Sequence, residues 1–175
     1  MRGTMSVLPW LLPGLLASMV VGVAVSGWLG QRIGTGRAGA WALFVGFGLV
    51  VAATLTPLRD GLELGTSIGT CDFSRVGLAS LDQLLHIGDT SLNVLLFMPL
   101  GFALGLIPRS RRRNVLVVLA ILSPFAIETT QLLVPVLGRG CQSADVFDNL
   151  SGLVIGGVIG VGARILGSRS GAGRA

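Results

Sequence analysis

Five apolar runs, each long enough to cross a bilayer, leave this chain almost no choice of environment. They cover residues 7–29, 40–57, 90–108, 115–137 and 146–166. About 17–25 apolar residues in helical form span roughly 30 Å of hydrocarbon. Lipid offers no partner to an open backbone, so runs of this kind fold as helices. The expected fold is all-α, a polytopic transmembrane helix bundle of about five spans. Composition agrees: 51% of the residues are hydrophobic, only 12% are charged and 27 are glycine, which no ordinary soluble domain resembles.

The connectors set the expected orientation. All thirteen basic residues are arginine. Arg32 and Arg37 lie in the first connector, four arginines lie between Arg109 and Arg113, and Arg169 and Arg174 lie in the tail. The connector from Arg59 to Asp89 instead holds two arginines against five acids. Placing the arginine-rich connectors in the cytoplasm gives an outside N-terminus and a cytoplasmic C-terminus. A cleaved signal peptide, suggested by Arg2 and by Ala24-Val25-Ser26, would send the Arg109–Arg113 cluster outside. The arginines form no stripe interleaved with aromatics, so membrane lipids, not nucleic acid, are the expected partner. The parts are then two helices in residues 1–57, an outer loop in 58–89, a three-helix core in 90–166 and a cytoplasmic tail in 167–175.

The outer loop spaces Phe73, Val76, Leu81, Leu84 and Leu85 as a short amphipathic helix over 73–87, with Ser80 and Gln83 as its capping box. His86 is the only histidine and lacks companions at ligand spacing, so no metal site is expected. Cys71 and Cys141 fall in two loops on the outer side, where disulfides are permitted, and are expected to pair.

Polar residues inside or at the edge of a span are costly and mark candidate sites. Glu128 and Gln131 share one face of the fourth span, with Glu128 about nine residues, roughly 13 Å, from its end. Asp145 and Asp148 open the fifth span, Asp145 as N-cap and Asp148 as a first-turn acid. Asp89 is a natural N-cap for the third span, and Pro99 should kink it. Asn93, Phe97, Gly101 and Gly105 fall on one face of the third span, and Asn149, Gly152, Gly156 and Gly160 on one face of the fifth. Together Asn93, Glu128, Gln131, Arg139, Asp145, Asp148 and Asn149 are expected to line one outward-facing polar cavity. The bland alternative is that these groups only knit helices together. Gly14, Ser18, Gly22, Ser26 and Gly30 recur at every fourth position of the first span, a close-packing face for a neighbouring helix or for a second copy of the chain.

The segments Asn93-Val-Leu-Leu-Phe-Met-Pro99-Leu-Gly101-Phe, Glu128-Thr-Thr-Gln131, Arg139 and Asp145-Val-Phe-Asp148-Asn149-Leu-Ser-Gly152 resemble the VanZ-like family of bacterial membrane proteins. The resemblance covers about Asp89 to Arg164. It implies a cell-envelope role, since the founding member confers resistance to the glycopeptide antibiotic teicoplanin without altering the peptidoglycan precursor terminus. Family membership implies a phenotype class and not a reaction.

Three functions follow as expectations. The first is a non-enzymatic protein that binds a lipid-linked cell-wall precursor or a lipid-tailed glycopeptide antibiotic, with Arg139 pairing a phosphate or carboxylate and the amides supplying hydrogen bonds. The second is an intramembrane enzyme on a lipid-linked substrate, with Glu128 and Asp148 as acid and base. The third is a structural membrane protein. No nucleophile with an adjacent base, phosphate loop, nucleotide motif or metal cluster is present, so no cofactor is expected and the balance leans away from catalysis.

Overall fold

A computed structural model describes residues 8–58 and 70–172. Its architecture is five long helices, α1 (Leu11–Ile33), α2 (Arg37–Thr54), α4 (Asp89–Leu106), α5 (Arg111–Leu133) and α6 (Ser143–Ala172), with a five-residue helix α3 (Leu81–Leu85) between α2 and α4. All five long helices are long and apolar enough to cross a membrane, and the chain is a multi-pass membrane protein. Its outer surface is apolar: Val20, Val23 and Trp28 of α1, Val118 and Leu122 of α5 and Val154 and Val158 of α6 are exposed. That is the surface expected where lipid is the solvent.

The helix ends are set by local chemistry. Gly34 ends α1 in the left-handed region at φ 75°, donating its N–H to the Gly30 carbonyl, a conformation that costs glycine little. The first span therefore runs four residues past its expected end. The fourth span stops four residues short, because Pro135 disfavours helix in the residue before it; a 3-10 turn, Pro135–Leu137, follows. α6 begins at Ser143 and continues through Ala172, so much of the expected tail is helical; Arg174 lies outside the described residues.

Two N-caps differ from expectation. Gly88, not Asp89, caps α4, and the Ser91 hydroxyl accepts the Gly88 N–H at 3.0 Å. Asp145 is the third residue of α6 rather than its cap. α4 runs unbroken through Pro99. The loop helix covers only 81–85, because Gly77 adopts φ 128° and Ser80 caps the helix with the expected reciprocal bonds to Gln83. Residues 59–69, the first part of the outer loop, lie outside the described residues.

Packing follows the small residues. Gly14 faces Ala52, Gly48 faces Ser18 and Gly22 faces Trp41 and Phe44, so α1 and α2 are antiparallel and the small-residue face of the first span meets a neighbour within the chain. Trp41 Nε1 donates to the Met19 carbonyl at 3.2 Å across this pair. The second pairing is tighter. Gly152, Gly156 and Gly160 of α6 lie directly against the backbone of Val94, Met98 and Phe102 of α4, while Gly101 and Gly105 lie against the backbone of Leu153 and Gly157. The constant offset makes α4 and α6 parallel neighbours in register. Val50, Phe97, Leu100, Leu104, Ile127 and Leu153 fill the core between this pair, α2 and α5.

Gly156→Ala puts a methyl where the Met98 backbone already lies, and overpacking of this kind costs about 1–3 kcal/mol. Gly162 of the same helix has nothing within 4 Å of an added methyl. Thermal unfolding of the detergent-purified chain should show a lowered midpoint for Gly156→Ala and an unchanged or raised one for Gly162→Ala.

Candidate functional site

The parallel packing of α4 and α6 brings both of their N-termini, and the C-termini of α2 and α5, to one end of the bundle. Two short strands, β1 (Cys71–Asp72) and β2 (Cys141–Gln142), pair in parallel there. The Cys71 and Cys141 sulfurs are bonded, with their Cα atoms 4.5 Å apart. The loop before α3 is thus pinned to the turn before α6, and the disulfide marks this end.

Pinning the loop places Arg75 over α6. Its Nη2 meets Asp148 Oδ2 at 2.5 Å, with Arg75 22% exposed and Asp148 only 1%. Asp148 is the sixth residue of α6, beyond the first-turn position expected for it, and it is partnered by the loop arginine. The Ser143 hydroxyl donates to the Arg75 carbonyl at 2.8 Å, fixing the backbone that carries the guanidinium. Arg75 was absent from the sequence-derived set. Its signal was being the basic residue in an otherwise acidic stretch of loop.

Glu128 is 5% exposed. Because α5 ends at Leu133, Glu128 stands five residues, about 7.5 Å, from the helix end and not nine. Its Oε2 accepts the Gln142 N–H at 2.8 Å, so the strand beside the disulfide closes over the carboxylate. Asp145 lies in hydrogen-bond contact with Asn93 of α4 and within electrostatic range of Glu128. Asn149 is 2% exposed, and its Oδ1 and Asp148 Oδ1 are buried atoms without hydrogen-bond partners among the described residues.

Gln131 and Arg139 are committed differently. Gln131 Nε2 donates to the Thr54 carbonyl at 3.0 Å. Arg139 donates through Nη2 to the Ala53 carbonyl and through Nε to that of Thr56 at 3.5 Å. The Ala53 and Thr54 carbonyls are among those that the C-terminus of α2 leaves without intrahelical partners, and Thr56 lies just past that end. Burial pulls the Arg139 pKa below the usual guanidinium value, and the Glu128 and Asp145 carboxylates push it back up. The expected pairing of Arg139 with a ligand anion competes with this capping.

A cleft of about 300 Å³ opens between α5 and α6 beside the disulfide. Phe125, Leu132, Phe147 and Leu150 form its apolar walls, and Glu128 borders it. Of the seven sequence-derived residues, Glu128 alone lines this cleft; the others lie in the packed layer behind it or at the end of α2. Among the described residues, no group of three or more histidine, cysteine or acidic side chains is placed to hold a metal ion.

Removing Arg75 strands a buried carboxylate, whereas removing both partners does not. With Arg75 partly exposed, Arg75→Met should cost about 1–3 kcal/mol of stability. Arg75→Met combined with Asp148→Asn should recover most of that loss, a double-mutant cycle readable by thermal unfolding. The disulfide closes a separation of 70 residues, and Cys71→Ser with Cys141→Ser should cost about 2–4 kcal/mol by the same measurement.

A family model described as VanZ/LLP1 matches residues 49–164. The match takes in the end of α2, the outer loop and most of α4, α5 and α6, so every residue of the disulfide-end cluster falls within it. No curated protein and no solved structure matches the chain.

Proposed function

Since the chain belongs to the VanZ/LLP1 family, with the match covering well over half of its length, we propose that this VanZ-like membrane protein binds a lipid-tailed component of the bacterial cell envelope. The ligand is a lipid-linked cell-wall precursor or a lipid-tailed glycopeptide such as teicoplanin. Its tail lies along Phe125, Leu132, Phe147 and Leu150, and its polar portion reaches Glu128. The disulfide end faces outside, the N-terminus is outside and the C-terminus is cytoplasmic, on the distribution of arginines between connectors.

One observation carries this reading: a nearly buried carboxylate standing at the polar end of an apolar cleft that opens sideways between two helices. A side opening admits a ligand from the bilayer. A carboxylate there has a use beyond packing, because among the described residues only Glu128 Oε2 is engaged, by the Gln142 N–H.

Catalysis by Glu128 and Asp148 is less well supported. Asp148 is held by Arg75 at 2.5 Å and is 1% exposed, which ties up the carboxylate that would have to exchange protons with a substrate. The knitting role does hold for Gln131 and Arg139, whose donors close the end of α2; it does not account for an acid bordering an open cleft.

Glu128→Gln keeps the shape and removes the charge. In a sensitive host, wild-type protein should raise resistance to teicoplanin and not to vancomycin, and Glu128→Gln at equal membrane level should lose at least half of that protection. Equal protection by both proteins would remove the carboxylate from the function. No protection by either would remove the antibiotic as ligand.

A further inference from the structure

At the opposite end of the bundle the same two helices, α5 and α6, part again. A groove of about 350 Å³ runs between them over the glycine seam, lined by Gly101, Gly105, Arg113, Val117, Gly157 and Val158 among others. Its walls are apolar except for Arg113, which stands near the start of α5 and so at the membrane edge. Arg113 Nε is buried and has no hydrogen-bond partner among the described residues. A buried cationic donor without an acceptor is costly, and here it lies at the head of a slot open to lipid.

The surroundings decide which lipid. Arg109 in the connector before α5 and Arg111 and Arg112 at the start of α5 precede Arg113 and are exposed. Every acid among the described residues, namely Asp72, Asp82, Asp89, Glu128, Asp145 and Asp148, belongs to the disulfide end or the loop beside it. Among the described residues no acidic side chain stands at this end to compete with a phosphate for the guanidinium or to receive the ammonium of a zwitterionic headgroup. The neighbouring arginines have partly different tasks, since Arg112 Nη1 donates to the Arg32 carbonyl at 2.6 Å and so closes the end of α1.

The geometry points to a binding site for an anionic glycerophospholipid at this end, with one acyl chain in the groove between α5 and α6 and the phosphate on Arg113. The glycines of α4 and α6 leave the floor without side chains, and the phosphate pairs with the guanidinium where Arg113 lines the groove. Anionic headgroups are more abundant at the cytoplasmic surface of many membranes, but the site itself follows from the groove and its arginine and does not rest on the ligand proposed for the cleft at the other end.

The test is native mass spectrometry of the full-length chain in detergent with added phosphatidylglycerol or phosphatidylcholine of the same acyl chains. Wild-type protein should bind phosphatidylglycerol about tenfold more tightly, the factor expected for one charge-assisted hydrogen bond. Arg113→Gln should lower phosphatidylglycerol binding about tenfold and erase the preference, whereas Arg111→Gln should change it less than threefold. Val158→Trp, at a residue 67% exposed on the groove wall, should weaken both lipids. Equal binding of both lipids by wild type overturns the proposal. So does an equal effect of Arg111→Gln and Arg113→Gln, which would mean diffuse attraction to the cluster. Should Arg113→Gln not purify as a folded species, Val158→Trp carries the test with the charge intact: lost phosphatidylglycerol binding supports the site and unchanged binding overturns it.

Discussion

The last carbonyls of a helix have no partner within it, and this bundle closes the end of one helix with a side chain from another. Arg112 of α5 closes α1 through the Arg32 carbonyl. Arg164 of α6 donates to the Ile107 carbonyl, 2.6 Å away, just past the end of α4. Gln131 and Arg139 close α2. Cations favour the negative ends of helices, so each bond also locates its helix along the membrane normal. The order of the bundle depends on these crossings as much as on its apolar contacts, because lipid tails are as apolar as the side chains and leave little hydrophobic force between helices.

The glycine seam between α4 and α6 has a consequence for the polar end. Two parallel helices at backbone contact cannot slide without driving Val94, Met98 or Phe102 into a neighbouring backbone. The register that results brings Asn93 to Asp145 and sets Asp148 where Arg75 reaches it from the pinned loop. The polar residues then divide by task. Gln131 and Arg139 belong to the end of α2, Arg75 and Asp148 lock the loop to α6, and Glu128 is left beside the cleft.

Much of this was legible in the sequence, and the reasons are physical. Run length and hydropathy gave five membrane helices, and glycine at every third or fourth position gave the faces that pack. The amphipathic stretch and its capping box pointed to α3, although Gly77 and Ser80 confine it to 81–85. Helix ends were displaced by up to six residues, at the end of α6, since hydropathy is blind to a left-handed glycine such as Gly34, to the effect of Pro135 on its predecessor and to helix that continues past the apolar run. The caps of α4 and α6 were misplaced because an aspartate that suits a cap suits the first turn nearly as well. Arg75 was missed for a deeper reason: its meeting with Asp148 spans 73 residues and depends on the loop being anchored, which no local pattern encodes. For the same reason the sequence grouped Glu128 with Gln131 and Arg139 by proximity along the chain, while the fold gives them different partners.

A lipid-tailed envelope component in the cleft beside Glu128, as proposed, would lie against Phe125. The most direct measurement places a photoreactive phenylalanine analogue at Phe125, on the cleft wall, in the chain carrying either Glu128 or Glu128→Gln, and identifies the lipids captured in living cells. Lipid-linked cell-wall precursor should be enriched over bulk phospholipid, with the enrichment lost in Glu128→Gln. Capture of bulk phospholipid alone, in the same proportions with and without the carboxylate, would contradict it.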